Sequence, residues 1–514
     1  MRKTMVRALS VLLILAFVPM TVLAEEWNLS EGSITVSAVA KPEGGTKQTV
    51  SQDRSSGKVS KEDAAPVIKS SGETANTVSI DAGEKATANV TIKDATVKSS
   101  GDAAIKTTGQ GNVNLNIEGK NSVESSGDKS THAGIEKNNN GNLTIGSASG
   151  DGELTVKGAY GGAGIGSREC VDVSNITITS GKIEAIGFGG AGIGSGSGAN
   201  DSSNITITGS AKVKASGFGA GIGGGHGSNG SNITISGNAE VEASCIGSGA
   251  GIGGGLYGSG SNITITDNAK VKATGISGAG IGGGAYNGDG SNITISGNAR
   301  VEAKSAWIAA GIGGGGSKYK DPSLGIGSNI TISDSAIVKV SGGEKSGDSG
   351  TGAAIGDGAR PGSNGAEVAP DITGLKPNGR IECYEPGADF EKDKPTRIIA
   401  VKAPDSGEST ETRAEALYRV TDLTGKSIPS QAERKDGVLT VTVEAGGAVL
   451  TGTLRGLKTL QKQGVEKIAF TDGTYAATTV LADLIARGNP GDTYALTLGA
   501  EISLTLNGEE IALA

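Results

Sequence analysis

A five-residue phrase returns along this chain about every 30 residues, and this repeat limits the possible folds more than any other feature. Successive asparagines of the phrase are 25, 28, 33, 29, 28, 30, 30 and 37 residues apart, which makes nine units. A period in this range is typical of solenoids, in which each unit packs on the next. Full copies of Ser-Asn-Ile-Thr-Ile begin at Ser174, Ser203, Ser231, Ser261, Ser291 and Ser328, and weaker copies lie at 89–92, 114–117 and 142–145.

Two further phrases recur in phase with the first. One is Ala-Gly-Ile-Gly, centred on Ile165, Ile193, Ile222, Ile252, Ile281 and Ile312. The other alternates small or apolar residues with charged ones, at 211–215, 239–243, 269–273 and 299–303. Alternation of period two indicates strands with one buried face. Three such strands per unit predict a mainly β protein, a right-handed parallel β-helix of about nine three-stranded coils. A β-propeller would need about four strands in 40–50 residues.

The composition fits a narrow coil and excludes several kinds of site. Glycine accounts for 88 of 514 residues, only 15 are aromatic, and no Gly-X-Y period is present. Three cysteines (Cys170, Cys245, Cys383) and two histidines (His132, His226) lack the spacing of a zinc site. The glycine phrase has no Gly-Lys-Ser/Thr and no following helix, which argues against a nucleotide site. We therefore expect no metal and no cofactor; calcium stays open without a supporting motif.

The first 24 residues have the pattern of a secretory signal peptide. Arg2, Lys3 and Arg7 precede an apolar run, and Val22-Leu23-Ala24 resembles a cleavage site. A membrane anchor is the alternative, but the run is short for a span. The chain's net charge is −8, and loss of these three basic residues takes it to −11. We therefore expect a secreted or extracellular protein, with or without attachment to the cell surface. We expect no membrane span after cleavage and no nucleic-acid partner.

Composition also divides the remaining chain. We expect an N-terminal β cap at 25–85, β-helix repeats at 86–365, and an end cap and linker at 366–412. From 413 to 514 the pattern mixes strands and helices, which predicts a small α+β domain. Within it, 438–443 and 448–454 are predicted to form a hairpin around Gly446 and Gly447.

One outward position of the charged phrase alternates in sign down the nine units. In a parallel stack these side chains would be about 4.8 Å from their neighbours and would pair at every level. The column is self-neutralised, so we predict a structural ladder in one surface row rather than a charged binding strip. The residues are Lys98, Glu124, Lys157, Glu184, Lys214, Glu242, Lys272, Glu302 and Lys339.

The asparagines of the main phrase have two interpretations. Each of the six full copies contains an Asn-x-Thr sequon, so the first interpretation is N-glycosylation. The other, which we favour, is a stack of amides at a coil corner, because the asparagine holds the same place in every unit. The column comprises Asn175, Asn204, Asn232, Asn262, Asn292 and Asn329.

Large apolar side chains flank the glycine phrase on both sides. The glycines are predicted to face outward, leaving a bare strand that forms a tight corner or meets another surface. We expect the residues before it to pack inside or cover a corner: Tyr160, Phe188, Phe218, Ile246, Ile276 and Trp307. For those after it, His226, Tyr257, Tyr286 and Tyr319, exposure beside the bare strand would suit a sugar chain. With Trp307, these four residues are the candidate binding residues.

Catalytic residues would have to lie where the repeat is interrupted, at 168–172, 318–325 and 342–352. Arg168, Glu169 and Asp172 form the densest charged cluster, but three charges in one short loop are more typical of a solvated turn. No catalytic residue is assigned. We expect a non-enzymatic protein that binds a polysaccharide, or a glycan or protein at a cell surface. A polysaccharide lyase or glycosidase is the main alternative, and a structural spacer is another.

The leader, the Trp27-Asn28-Leu29-Ser30 opening and the two repeated phrases resemble secreted or cell-surface β-helix proteins of gut-type Gram-positive bacteria. Such proteins are commonly described as carbohydrate-binding or adhesin-like. The resemblance covers residues 25–365 and implies an extracellular binding function. More distantly, the coils resemble pectate-lyase-type folds, although no lyase motif can be matched here.

Overall fold

The protein is a right-handed parallel β-helix of about 12 turns followed by a small sheet domain. The computed structural model describes residues 25–127, 130–319, 325–401, 417–426, 428–444, 447–489, 491–499 and 502–512. The predicted signal peptide lies outside the described residues. One continuous hydrophobic core extends from Trp27 to Ile399, and a separate core fills the C-terminal domain.

Three sheets form the sides of the β-helix. The asparagine sheet contains the repeated Asn-Ile-Thr-Ile phrase. Its strands are Glu26–Asn28, Val67–Lys69, Thr87–Lys93, Asn112–Glu118, Leu143–Gly146, Val173–Ile178, Asp201–Ile207, Asn229–Ile235, Gly260–Ile265, Gly290–Ile295 and Gly327–Ile332.

The charged sheet contains the alternating Lys and Glu positions. Its strands are Glu73–Thr74, Thr96–Ser99, Lys120–Ser125, Glu153–Tyr160, Lys182–Phe188, Lys212–Gly217, Glu240–Cys245, Lys270–Gly275, Arg300–Ser305, Ile337–Ser341, Arg380–Cys383 and Arg397–Ala400.

The glycine sheet contains the Ile-Gly strands, most of them only two residues long. Its strands are Ile34–Ala40, Thr46–Arg54, Gly57–Glu62, Val78–Ala82, Ile105–Gly109, Ile135–Lys137, Ile165–Gly166, Ile193–Gly194, Ile222–Gly223, Ile252–Gly253, Ile281–Gly282, Ile312–Gly313 and Ile355–Gly356.

The β-helix has more turns than the nine units counted from the repeat. The extra strands lie in segments without the repeated phrases, such as Glu26–Asn28 and Val67–Lys69 in the asparagine sheet. These two strands pair in parallel with each other, placing Trp27 opposite Ile68. The segment 25–85 therefore contains coil strands besides any cap.

Antiparallel strands cover parts of both ends. At the N-terminal end, Thr46–Arg54 pairs antiparallel with Ile34–Ala40 and with Gly57–Glu62. At the other end, Arg397–Ala400 pairs antiparallel with Arg380–Cys383. Such pairing covers the backbone edge of the outermost parallel strand, which would otherwise be open.

The nine predicted ladder residues do not form one row. Lys157 lies opposite Ile186, whereas Glu184 lies opposite Thr155, two residues away. The column is therefore divided into a run of three and a run of six, because Leu154 rather than Val156 aligns with Ile183. The second run continues beyond the prediction, since Lys339 lies opposite Glu382.

Within each run the alternation of charge is in register. Lys214, Glu242 and Lys272 are consecutive partners in the charged sheet. Ion pairs form between Lys98 and Glu124 at 3.0 Å and between Lys339 and Glu302 at 3.1 Å. A second outward column of this sheet contributes further pairs, such as Lys270 with Glu240 at 2.9 Å.

The C-terminal domain has one sheet of five strands and one of four. The first contains Tyr418–Thr421, Ala448–Thr453, Thr493–Leu498, Ser503–Leu506 and Glu509–Ile511. The second contains Ser430–Lys435, Val438–Val443, Lys467–Thr471 and Ala476–Val480. Two helices, Leu454–Lys462 and Leu481–Ile485, accompany them.

The predicted hairpin within this domain is wrong. Val438–Val443 pairs with Ser430–Lys435 and Lys467–Thr471, whereas Ala448–Thr453 pairs in the other sheet. The two strands look alike in sequence because both alternate apolar and polar residues. That pattern defines a strand's buried face but not its partner.

Candidate functional site

The glycine phrase closes a tight loop in each of its six full copies. The amide of Ala220 donates to the carbonyl oxygen of Gly224 at 2.8 Å, so the chain enters and leaves Ile222–Gly223 at nearly one point. A methyl group on Gly219 would lie only 2.6 Å from the Cα of Gly225. The same bond joins Ala163 to Ser167, Ala191 to Ser195, Ala250 to Gly254, Ala279 to Gly283 and Ala310 to Gly314.

The prediction of a bare glycine strand is therefore wrong. Residues 219–225 are all buried. A methyl group on Gly221 would lie 2.6 Å from the amide nitrogen of Ser244 and 2.7 Å from the carbonyl oxygen of Gly251. The glycines allow close approach of backbones within the β-helix, which is the tight-corner alternative.

The loop closure brings the two flanking sets of side chains to one edge of the molecule. The amide of His226, which follows the loop, donates to the carbonyl oxygen of Gly189, which follows Phe188. In the next coils, the amide of Ala285 donates in the same way to Ser248. The residues before and after the glycine loops thus form adjacent columns, which we call together the aromatic strip.

Five of the six residues in the entry column of the strip are exposed and the sixth, Ile276, is half-buried. Of the two expectations for this column, packing inside is therefore wrong, and covering a corner stays a prediction. The exposed fraction is 75% for Tyr160, 55% for Phe188 and 43% for Trp307. Contiguous exposure of large apolar residues is unusual on a soluble protein and commonly marks an interaction surface. The column comprises Tyr160, Phe188, Phe218, Ile246, Ile276 and Trp307.

The exit column is a stack of rings. The ring centroids of Tyr257 and Tyr286 are 5.5 Å apart, and those of Tyr286 and Tyr319 are 5.3 Å apart. His226 meets Tyr257 edge-on at 6.5 Å. Tyr257 and Tyr319 remain more than half exposed. Since the rings stack on one another, the column presents mainly ring edges and phenol groups to solvent.

Two of these tyrosines have an unfavourable backbone conformation. Tyr257 has φ of 62° and Tyr286 has φ of 59°, in the left-handed region. Hydrogen bonds between successive coils align this position with Gly198 and Gly227, which also have positive φ. A bulky residue there costs about 1 kcal/mol relative to glycine. Unfavourable backbone conformations of this kind occur preferentially at functional sites.

The two columns of the strip contain no lysine, arginine, aspartate or glutamate, although charged residues adjoin them. Lys318 places its ammonium group 5.1 Å from the ring centroid of Trp307, which is a cation–π geometry. The pKa of the Tyr286 phenol is raised, first by burial and then by the adjacent Tyr319 and Tyr257. Tyr286 is therefore a neutral hydrogen-bonding group at physiological pH.

The asparagine column forms the amide ladder. Asn204 Nδ2 donates to Asn175 Oδ1 at 3.0 Å, and the same bond links the later members in turn up to Asn329. All six asparagines have positive φ, between 50° and 62°. Asparagine tolerates this conformation better than most residues, which explains its recurrence.

Charged residues of the first interruption lie in turns of the described chain. Asp172 accepts the backbone amides of Asn200 and Asp201 at 2.7 and 3.1 Å, so it organises a turn. Glu169 lies against Gly161 at the neighbouring loop. Residues 320–324 of the second interruption lie outside the described residues.

A cluster of titratable groups around Glu136 was not predicted. His132 Nδ1 lies 2.5 Å from Glu136 Oε2 and 3.7 Å from Asp102 Oδ1, and Lys106 Nζ lies 3.9 Å from Glu136 Oε1. Asn138 Nδ2 donates to Glu136 Oε1 at 2.6 Å. Both oxygens of this fully buried carboxylate are thus engaged within the protein.

The described residues include no group of three or more His, Cys, Asp or Glu side chains arranged to hold a metal ion. Their three cysteines are unpaired. In the same part of the chain, no helix is both long and apolar enough to cross a membrane.

Comparison with known proteins supports the fold. A protein family described as "Beta helix repeat" matches residues 176–197, 205–226, 233–256, 263–285 and 293–316. These segments coincide with the coils that contain both the asparagine phrase and the closed glycine loop. No curated protein and no solved structure matches the chain.

Proposed function

We propose that this protein is a secreted, non-enzymatic β-helix that binds an extended, uncharged glycan along the aromatic strip. The observation that carries the proposal is the stack of Tyr257, Tyr286 and Tyr319, whose outer two rings are more than half exposed. Tyr257 and Tyr286 occupy a left-handed position suited to glycine. Secretion is inferred from the predicted leader at residues 1–24.

The dimensions of the strip suit a linear polymer. Its columns follow the coil repeat, so successive side chains are about one strand spacing, roughly 4.8 Å, apart. The entry column offers apolar surface to the C–H faces of sugar rings, and the exit column offers phenol groups to their hydroxyls. None of the ten residues of the two columns is a lysine, arginine, aspartate or glutamate, and the charged residues of the exit loops include both signs, Lys318 and Lys320 against Asp289 and Asp321. We therefore propose an uncharged ligand.

The alternatives agree less well with these contacts. A spacer gains nothing from large exposed apolar side chains, which favour aggregation. A lyase or glycosidase needs carboxyl groups that reach substrate, and the two glycosidic carboxyl groups are usually about 5–9.5 Å apart. The fully buried Glu136 does not meet this need, because both of its oxygens already have partners within the protein.

The test is affinity electrophoresis of residues 25–514 in gels containing galactomannan, xylan or hydroxyethylcellulose, with polygalacturonate as the anionic comparison. We expect retardation by at least one neutral polymer. Joint replacement of Tyr257, Tyr286 and Tyr319 by alanine should abolish it. Tyr475→Ala, which changes a tyrosine of similar exposure in the C-terminal domain, is the matched control.

Two results would contradict the proposal. Unchanged retardation of the triple variant would exclude the exit column as a glycan-binding surface, provided that circular dichroism shows an intact β-helix. Trp307→Ala with Phe218→Ala tests the entry column if the triple variant misfolds. New reducing or unsaturated ends during incubation with polymer would support the lyase or glycosidase instead.

A further inference from the structure

A second surface, on a different side of the β-helix, has the regularity of a lattice. The outer face of the asparagine sheet presents the same polar side chains in six successive coils, in register. We call it the threonine face. Its middle column is formed by half-buried threonines: Thr177, Thr206, Thr234, Thr264, Thr294 and Thr331.

The columns beside the threonines are hydrogen-bonded along the stack. On one side the asparagine amides are linked from coil to coil at 3.0–3.3 Å. On the other side, Ser236 donates to Thr208 and Ser296 donates to Thr266, each at 2.9 Å. These bonds fix the flanking side chains and make the face rigid.

The middle hydroxyls are different. Within the described chain, no side-chain hydrogen bond engages the hydroxyl of any of the six threonines. The pleat holds them about 4.8 Å apart, and the β-branched side chain has few rotamers. The face therefore presents a straight row of free, preorganised hydroxyl groups.

The threonine face is also uncharged. Its Ser, Asn, Thr and outer Thr or Ser columns contain no ionisable residue over six coils, whereas the charged sheet has charges in two columns. Carboxylates occur only at its margins: Asp201 lies beyond the serine column and accepts from Ser231. Asp267 and Asp334 follow residues of the outer column and accept the backbone amides of Gly237 and Gly297. A surface without charge does not repel or attract ions, but it exchanges hydrogen bonds with other neutral hydroxyl groups.

We propose that the threonine face binds the flat, ordered surface of a crystalline, uncharged polysaccharide. A rigid row of hydroxyls matches a rigid partner, because neither side loses conformational freedom on contact. A dissolved chain would have to be ordered first, at a cost for each sugar unit. This inference concerns residues distinct from the aromatic strip and does not depend on it.

The experiment is a partition assay of residues 25–514 on microcrystalline cellulose and α-chitin powders, with swollen amorphous cellulose for comparison. We expect adsorption to at least one crystalline powder and at least fivefold less to the amorphous form per unit of accessible area. Joint Thr206→Val, Thr234→Val and Thr264→Val should reduce adsorption at least fivefold, since valine keeps the shape and removes the hydroxyl.

The matched control replaces the same three threonines by serine, which keeps the hydroxyl and should keep adsorption. The tyrosine triple variant should adsorb normally while losing soluble-glycan binding, so the two proposals can fail separately. Equal adsorption of the valine and serine variants overturns the inference. So does a wild type that adsorbs to neither powder, including one retained only on growing ice.

Discussion

The amide of Ala220 donates a 2.8 Å hydrogen bond to the carbonyl oxygen of Gly224, and this bond decides where the aromatic side chains lie. It turns the Ile-Gly strand into a closed loop directed into the β-helix. The residues before and after the loop consequently meet at one edge. Closure requires glycine, because neighbouring backbone atoms occupy the space of a side chain.

The first prediction is that Gly221→Ala destabilises the β-helix by about 1–3 kcal/mol, the range found for overpacked cores. The added methyl would meet the backbone of Ser244 and Gly251 at 2.6–2.7 Å, and backbone cannot rotate away as a side chain can. Urea denaturation followed by circular dichroism measures the loss. Gly101→Ala, where nothing lies within 4 Å of the new methyl, should stay within about 0.5 kcal/mol. Equal urea midpoints for the two variants would show that the loop has room for a methyl group at Gly221.

The second prediction concerns the charged column. Glu242→Lys would place three like charges in succession, at Lys214, position 242 and Lys272. We expect a loss of about 1 kcal/mol in low salt that shrinks in 1 M NaCl, since these side chains are solvent-screened. Glu242→Gln, which removes the charge without reversing it, should lose less. Salt-independent and equal losses in the two variants would show that charge order does not stabilise the stack.

The sequence predicted the repeat architecture well because a buried face repeats identically in each coil. The inward Ile residues of Asn-Ile-Thr-Ile are buried in every full copy. The predicted register was wrong at Lys157. Two outward positions of this strand, Thr155 and Lys157, could align with Glu184, and the pairing of Leu154 with Ile183 places Thr155 there. Nine coils were counted because strands such as Val67–Lys69 lack the phrase.

The candidate site was predicted only in part. The residues of the aromatic strip were identified from their phase in the repeat. The glycines, however, were predicted to face outward and are buried, whereas most of the large side chains beside them are exposed. Alternation alone cannot reveal that Ala220 bonds to Gly224, because that bond links positions within one loop. Nor could it find the contact of His132 with Glu136, which joins a loop to a strand.

The third prediction is a pH dependence that originates at Lys137. This side chain is 4% exposed, its Nζ donates to the carbonyl oxygen of Asn139 at 2.6 Å, and burial lowers its pKa to about 8. Below pH 8 both folded and unfolded chains bind this proton, so its unfavourable contribution is constant. Between pH 8 and about 10.5 only the unfolded chain retains it, so the free energy of unfolding rises with pH.

Lys137→Met should therefore raise the free energy of unfolding at pH 7 by roughly 2 kcal/mol, an amount that allows for residual hydration. The advantage over the wild type should diminish from pH 8 to about 10.5. Urea titrations at pH 7, 9 and 10.5 measure the difference. Lys120→Met, at a highly exposed lysine, is the control and should show no such trend. A pH-independent advantage of Lys137→Met would show that the ammonium group is not the cause.

The last prediction separates the backbone of Tyr257 from its ring. Tyr257→Gly and Tyr257→Ala both remove the stacking on Tyr286, worth about 0.5–1.5 kcal/mol. Only glycine also relieves the left-handed backbone at φ of 62°. The glycine variant should therefore be more stable than the alanine variant by about 1 kcal/mol and close to the wild type.

If stability alone selected the residue at position 257, glycine would serve there as it does at Gly198 and Gly227. Thermal and urea denaturation of the three proteins, with glycan retardation measured on the same samples, should show stability without binding in the glycine variant. Full retardation of that variant, or a glycine variant less stable than alanine, would refute a functional reason for tyrosine at this position.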